Sequence, residues 1–390
     1  MDEAVKSKNP LRRVLGNKRW QFITIPLFSI LCSLVAISIV ILLIGKNPLT
    51  AFTSLLQGSG WIGKTNYAAG KGQITDFMEF LDALTPMLFA ALAVAVAFKA
   101  GLFNIGVSGQ MLLSGFVTSV LVGYSDLPGA VAKPLVLLCG MLVGSLAGAL
   151  IGLLKYRFNI NEVVSAIMLN YIFQYIISYF INTPQFLDPV YRQSKTVSSA
   201  ARLTLIDLTV GNYKMRVPWV ILLALACAVA LWAFLAKTRQ GYEVKAVGLN
   251  PLAANYAGIR VGGNIVLAMV LSGGLAGLAG VTYYLGYFNA IIPNQLANLG
   301  FDSIATALLG NAHPLGIIAS SILITTLDKG SIYMSSTVGV RQEITSLITG
   351  LILLFSACSM YIRYLVNRSP KQKKGGAPGP TQAAKGGDKA

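Results

Sequence analysis

Three sets of polar residues interrupt otherwise apolar stretches of this chain, and the chemistry open to them is hydrogen bonding. Asn104, Ser108 and Gln110 lie in Gly101–Met111, where three glycines in nine residues argue against a continuous helix. Such a broken stretch opens backbone groups to a cavity; alternatively, the amides satisfy the loosened backbone. Asn170, Gln174 and Ser178 recur every fourth residue, with Tyr171, Tyr175 and Tyr179 as the adjoining stripe. That spacing puts each set on one helix face. Amides beside phenols can bond a polar solute and stack on a flat or sugar-like one. The same residue types also join neighbouring helices or sit at membrane interfaces. Asp302 is the one acid in Val261–Leu327. It would either cap a helix N-terminus or line an outer vestibule. Asn311 lies in the same polar run, beside the sole histidine, His313.

None of this is catalytic. The sequence shows no paired carboxylates, no metal-ligand cluster and no activated nucleophile, so no enzyme, metal or cofactor is expected. Gly58–Thr65 matches the phosphate-loop pattern G-x-x-x-x-G-K-[ST] letter for letter. The pattern needs a buried strand before it and a helix after it. Here a membrane span precedes, and Asn66–Gly72, with two more glycines, follows. An ATP site at Lys64 is therefore declined.

The elements that must position these residues are membrane helices. The chain has 390 residues, 55% of them hydrophobic and 12% charged. Soluble domains carry about 25% charged residues. A span needs about 20 apolar residues. Uncharged runs then predict an all-α membrane protein of about ten transmembrane helices, over 21–44, 80–98, 102–122, 134–154, 163–182, 217–236, 262–286, 295–312, 314–328 and 343–362. The membrane domain is thus 21–362, between a basic N-terminus (1–20) and a Lys-, Gly- and Pro-rich tail (363–390) expected to be disordered. Cys32, Cys139, Cys227 and Cys358 all lie in apolar runs, with no Cys-x-x-Cys pair. They read as small core residues.

Charge sets orientation. With both termini cytosolic, 20 Lys and Arg lie inside and 11 outside. The net charge of +17 thus reports topology and inner-leaflet lipid rather than nucleic-acid binding. No cleavable signal peptide is evident, because the first apolar run is long enough to span.

Glycine is placed for helix packing. Gly140, Gly144, Gly148 and Gly152 recur every fourth residue, and Gly273, Gly277 and Gly280 face a second helix. One glycine-faced helix in each half hints at an internal duplication.

The bridge between the sixth and seventh spans, 237–260, falls on the inner side. Asn250 is a good N-cap, Pro251 suits the first helical position and Gly258 supplies a stop. A helix of under two turns is marginal alone, so it needs a groove to dock in.

Gly241-Tyr242-Glu243 and Asn250-Pro251-x-Ala253-Ala254-x-Tyr256-Ala257-Gly258-Ile259 resemble the coupling loop of ATP-binding cassette (ABC) importer permeases. Phe103-Asn104-Ile105-Gly106-x-x-Gly109-Gln110-Met111, Asn161-Glu162-Val163-Val164 with Met168–Tyr171, and Gly300–Gly316 are similar to the branched-chain amino acid, simple-sugar and nucleoside type, nearest to nucleoside permeases. At Ser108 many relatives carry a carboxylate.

The resemblance implies a type II importer-like fold with inverted repeats and a multi-pass protein of the bacterial plasma membrane. Two cytosolic ATPases, a second permease (homologous or identical) and an extracellular substrate-binding lipoprotein would complete the machine. Gly241, Glu243, Asn250, Pro251, Ala253, Ala254, Tyr256 and Gly258 would couple to the ATPase, which alone would hydrolyse ATP. Asn104, Ser108, Gln110, Asn170, Tyr171, Gln174, Tyr175, Asp302 and Asn311 would line the substrate pathway. Nucleosides are the implied cargo, with simple sugars such as ribose as the alternative. The rival from a different class is an ion-coupled secondary transporter, for which Asp302 would be the sole intramembrane acid.

Overall fold

The computed structural model describes residues 21–67, 70–210, 213–341 and 343–357. Ile30–Ala357 form one compact body; residues 21–29, which begin the first helix, fall to a separate unit with the chain ends. The expected basic N-terminus, the tail and the last span beyond Ala357 lie outside the described residues.

The first helix, α1 (Gln21–Leu43), is followed by α2 (Pro48–Gly58), which turns back by 114°. Asn47 caps α2 by accepting from Leu49 N, and Pro48 opens it. Then come α3 (Gln73–Lys99), α4 (Val107–Thr118), α5 (Gly129–Phe158) and α6 (Glu162–Ile181). Segment 182–217 folds into two antiparallel strand pairs, β1 (Leu187–Asp188) with β2 (Gln193–Ser194) and β3 (Leu205–Val210) with β4 (Tyr213–Val217). The remaining helices are α7 (Val220–Lys237), α8 (Arg239–Leu249), α9 (Pro251–Tyr256), α10 (Val261–Thr282), α11 (Leu299–Leu309), α12 (Pro314–Val338) and α13 (Glu343–Ala357). Five-residue π-helical stretches extend α4 (Ser119–Gly123) and α10 (Tyr283–Tyr287).

Among the described residues six helices are long and apolar enough to cross a membrane: α3, α5, α6, α7, α10 with its π stretch, and α12. The bent α1–α2 pair makes seven if counted as one span. The protein is therefore a mostly helical, multi-pass membrane protein. Each expected segment falls on a helix, but the boundaries differ in instructive ways. The third segment begins only at Val107, because Gly101 (φ +71°) ends the preceding turn and residues 101–106 are not helical. The eighth shrinks to the 11 residues of α11, about half the ~30 Å of hydrocarbon at 1.5 Å per residue. The ninth lengthens to 25 residues. Asp328 and Lys329 do not end it; Gly339 in the left-handed region does. The all-α expectation is corrected to mostly helical by the two small sheets, which lie in the segment between α6 and α7.

The core is built around α3. Its Ala-, Val- and Leu-rich stretch from Leu88 to Ala97 is wholly buried, which small side chains and the absence of charge permit. The two glycine faces prove to be partners. A Cβ on Gly144 would stand 2.3 Å from Gly273 O, one on Gly148 2.1 Å from Met269 O, and one on Gly277 2.1 Å from Gly140 O. Helices α5 and α10 therefore touch backbone to backbone, the contact that drives association where no hydrophobic difference from lipid exists. A second apolar cluster joins α1, α2, α12 and α13 through Ile41, Leu55, Leu327 and Ile348.

Candidate functional site

The 237–260 bridge is two helices, not one short helix in a loop. Thr238 Oγ1 accepts from Gly241 N at 3.0 Å and starts α8. Asn250, extended at φ −157°, accepts from Leu252 N (3.0 Å) and Ala253 N (3.1 Å), and so starts α9 as the sequence predicted. Gly258 at φ +78° leaves it.

The six-residue α9 turns Ala254 inward, where it is 4% exposed, and Tyr256 (94%) and Leu252 (73%) outward. Leu249, at the end of α8, is 88% exposed. Ala253 is also exposed. Leu249, Leu252 and Tyr256 thus present large apolar area that nothing in the chain itself covers.

Gly241 and Glu243 face the chain itself. A Cβ on Gly241 would lie 2.0 Å from Phe234 O. Glu243 accepts from Asn264 Nδ2 (3.2 Å) and Arg239 Nε (2.9 Å). These two donors, Asn264 first, hold its carboxyl below the ordinary glutamate range. Arg239 and Asn264 carried no sequence signal; only the fold brings Asn264 to Glu243.

The broken segment 101–106 is knitted by buried amides. Asn104 Nδ2 donates to Gln110 Oε1 (3.1 Å) and to Ser272 Oγ (2.8 Å), while Gly106 N donates to Asn104 Oδ1 (2.9 Å). Ser272 Oγ in turn donates to Ala93 O at 2.6 Å. Ser272, missed in the sequence because its neighbours read as helix packing, joins α3, the broken segment and α10 at one point.

Ser108 Oγ donates to Ala297 O at 2.9 Å. A Cβ on Gly300 would stand 2.2 Å from that hydroxyl, so the first turns of the half-length helices α4 and α11 meet there. Asn170 reaches from α6 to the broken segment and to the first turn of α4, donating to Ile105 O and accepting from Gly109 N, each at 3.0 Å. Gln174 Nε2 donates to Asn294 O (2.8 Å), and Asn294 N donates to Ser178 Oγ (2.7 Å).

The two stripes on α6 thus have opposite surroundings. The amide and hydroxyl stripe faces non-helical backbone, and Tyr171, Tyr175 and Tyr179 are exposed. The structure brings Asn104, Gln110, Ser108 and Asn170 into one interior region. Asp302 and Asn311 sit nine residues apart at opposite ends of α11. Asp302 is not the cap of α11: Asn298 occupies that position, and Asp302 N donates to its carbonyl. Nor is Asp302, only half-buried, the sole acid away from solvent. Asp82 on α3 is 3% exposed and accepts from Thr204 Oγ1 at 2.7 Å.

The phosphate-loop look-alike is consumed by packing. Ser59 Oγ donates to Thr326 O (2.8 Å) and Trp61 Nε1 to Thr326 Oγ1 (3.1 Å). Lys64 pairs with Asp76 at 2.7 Å and lies over the Tyr333 ring.

The chain is 34% identical to the guanosine ABC transporter permease protein NupP of Bacillus subtilis, covering 91% of this chain and 99% of that one. It is 32% identical to the nucleoside ABC transporter permease protein NupB of Lactococcus lactis, covering 92% and 96%. Against the glucose ABC transporter permease protein TsgB13 of Haloferax volcanii it is 29% identical over 80% of this chain and 83% of that one. Residues 77–357 match the family described as branched-chain amino acid transport system / permease component. From the bridge at α8–α9 to the packed glycine helices, this chain belongs to that family of ABC transporter permeases.

Proposed function

We propose that this chain is the membrane permease of an ATP-driven importer of nucleosides in the bacterial plasma membrane. The observation that carries the reading is α9, a capped helix of six residues that offers Leu252 and Tyr256 to solvent. Helices this short do not stand alone, and apolar side chains so placed require a partner. Two cytosolic ATPases supply the groove, and closing on ATP moves α9. A second permease and an extracellular substrate-binding lipoprotein complete the assembly. The chain hydrolyses no ATP itself.

Nucleosides are the cargo because the two relatives that share most of their length with this chain carry nucleoside names. The glucose permease relative keeps simple sugars as the second reading. The polar interior around Asn104, Ser108, Gln110, Asn170 and Gln174, the tyrosine face of Tyr171 and Tyr175, and Asp302 and Asn311 on α11 form the pathway wall when the outer and inner sides alternate. In this reading α1, α4, α11 and α13 count with the six full-length helices as ten crossings. Both termini are cytosolic. The half-length α4 and α11, meeting at Ser108 and Gly300, belong to two inverted repeats.

The test is uptake of labelled guanosine into vesicles holding the permease pair, the ATPases and the lipoprotein. Import should require enclosed ATP, and excess ribose or glucose should not compete. Competition by sugar would move the cargo to the second reading. Undiminished import by the permease without ATPase would overturn the proposal.

A further inference from the structure

Helix α8 is clamped to the membrane body by backbone contacts. At its start Gly241 lies against the end of α7. At its end Gly248 lies against the turn that closes α3: a Cβ there would stand 2.3 Å from Lys99 O and 2.8 Å from Gly101 N. The contact is mutual, since a Cβ on Gly101 would stand 2.9 Å from Gly248 O. Between these ends Glu243 is tied to Asn264 of α10 at 3.2 Å. No side chain lies between the two glycine backbones to bend or slide, and packed interiors transmit displacement rather than absorb it.

Three residues beyond Gly101 stands Asn104, the centre of the buried cluster with Gln110 and Ser272. The turn itself is closed by Gly101 N donating to Phe98 O (3.1 Å) and Leu102 N to Ala97 O (2.9 Å).

We propose that α8 and the turn Lys99–Asn104 move as one rigid lever, with the Gly248–Gly101 contact carrying the displacement of α9 into the Asn104–Gln110–Ser272 cluster. Gly248 and Gly101 are positioning residues. They touch neither cargo nor ATPase, and their small size keeps the lever free of play. This rests on the ATP-driven reading above.

Lys99 ends α3 beside Gly101, and Lys245 lies one turn before Gly248 on α8, so the pair spans the contact and provides a direct test. In a cysteine-free background of the complete transporter, Lys99→Cys and Lys245→Cys are joined by a short reducible cross-linker. A lever that moves as one body tolerates the link, and import stays within about twofold of the unlinked protein. Import lost on linking and restored by reduction would overturn the lever.

A second variant, Gly248→Ala, pushes the two backbones apart. In assembled complexes that still hold the ATPase, import should fall at least about tenfold while ATP hydrolysis changes less than about twofold. Import and hydrolysis falling in parallel, or neither changing, would also overturn the lever. The cross-linking result does not depend on whether Gly248→Ala folds. Import by the wild-type complex without ATP would instead remove the ATP-driven reading on which the lever stands.

Discussion

Asn170 and Gly109 lie 61 residues apart in sequence, yet the Asn170 Oδ1 accepts from the Gly109 N–H at 3.0 Å. The other half of the same amide donates to Ile105 O. One side chain on α6 therefore satisfies backbone in the break and in the first turn of α4 at once.

Replacing Asn170 by Leu leaves the buried Gly109 N–H without its partner, at about 1–3 kcal/mol, and the half-buried Ile105 carbonyl without its own. The purified permease should lose several degrees in its thermal midpoint. Tyr175→Phe, on the exposed stripe of the same helix, should leave the midpoint unchanged. A midpoint unaffected by Asn170→Leu would show that Asn170 does not hold the break.

The α5–α10 contact sets a second expectation. Gly144→Ala places a methyl 2.3 Å from Gly273 O, and forcing the helices apart should cost about 1–3 kcal/mol. Gly350→Ala on α13, which meets nothing within 4 Å, should be neutral or stabilising by up to about 1 kcal/mol. Chemical or thermal unfolding of the two variants side by side reads the difference.

On α9, surface and interior changes should separate. Leu252→Asp and Tyr256→Asp alter exposed residues; they should abolish ATPase co-purification and leave permease stability within about 0.5 kcal/mol. Ala254→Glu puts a charge at a buried position and should destabilise the bridge itself. Asn250→Ala removes the cap and should cost about 1 kcal/mol of local stability, read as faster proteolysis after Arg260. Retention of the ATPase by both Leu252→Asp and Tyr256→Asp would place the docking surface elsewhere.

Glu243 sets a pH window. Its folded pKa is depressed below the ordinary value near 4.5 by Asn264 and Arg239. Its contribution is therefore fully present above the unfolded value and is lost as pH falls through the folded one. Acidification below about pH 4.5 should loosen α8 from α10 in the wild type, as seen by hydrogen exchange of 239–264. Glu243→Gln should remove that acid-dependent component.

Much of this architecture is legible in sequence because it is written in local pattern. Uncharged runs mark the helices, since lipid accepts no unpaired polarity. Asn250, Pro251 and Gly258 mark α9, since caps act within four residues. The four-residue glycine spacing marks two smooth faces, since a helix repeats on that period.

What the sequence could not supply is partnership. Spacing shows that Gly144 and Gly273 each lie on a contact face; only the fold shows that they meet. Spacing puts Asn170 on a polar helix face; its two backbone partners, 61 and 65 residues away, come only from the fold. Helix α8 was hidden in polar composition, because docking on α7, α3 and α10 rather than its own periodicity holds it. The end of α12 was misjudged because a charged pair, Asp328 and Lys329, resembles a membrane boundary, whereas the helix continues to the left-handed turn at Gly339. A sequence specifies which faces and caps exist. Which face meets which is decided by the simultaneous packing of the whole bundle, where backbone contact and the pairing of every buried polar group must be met together.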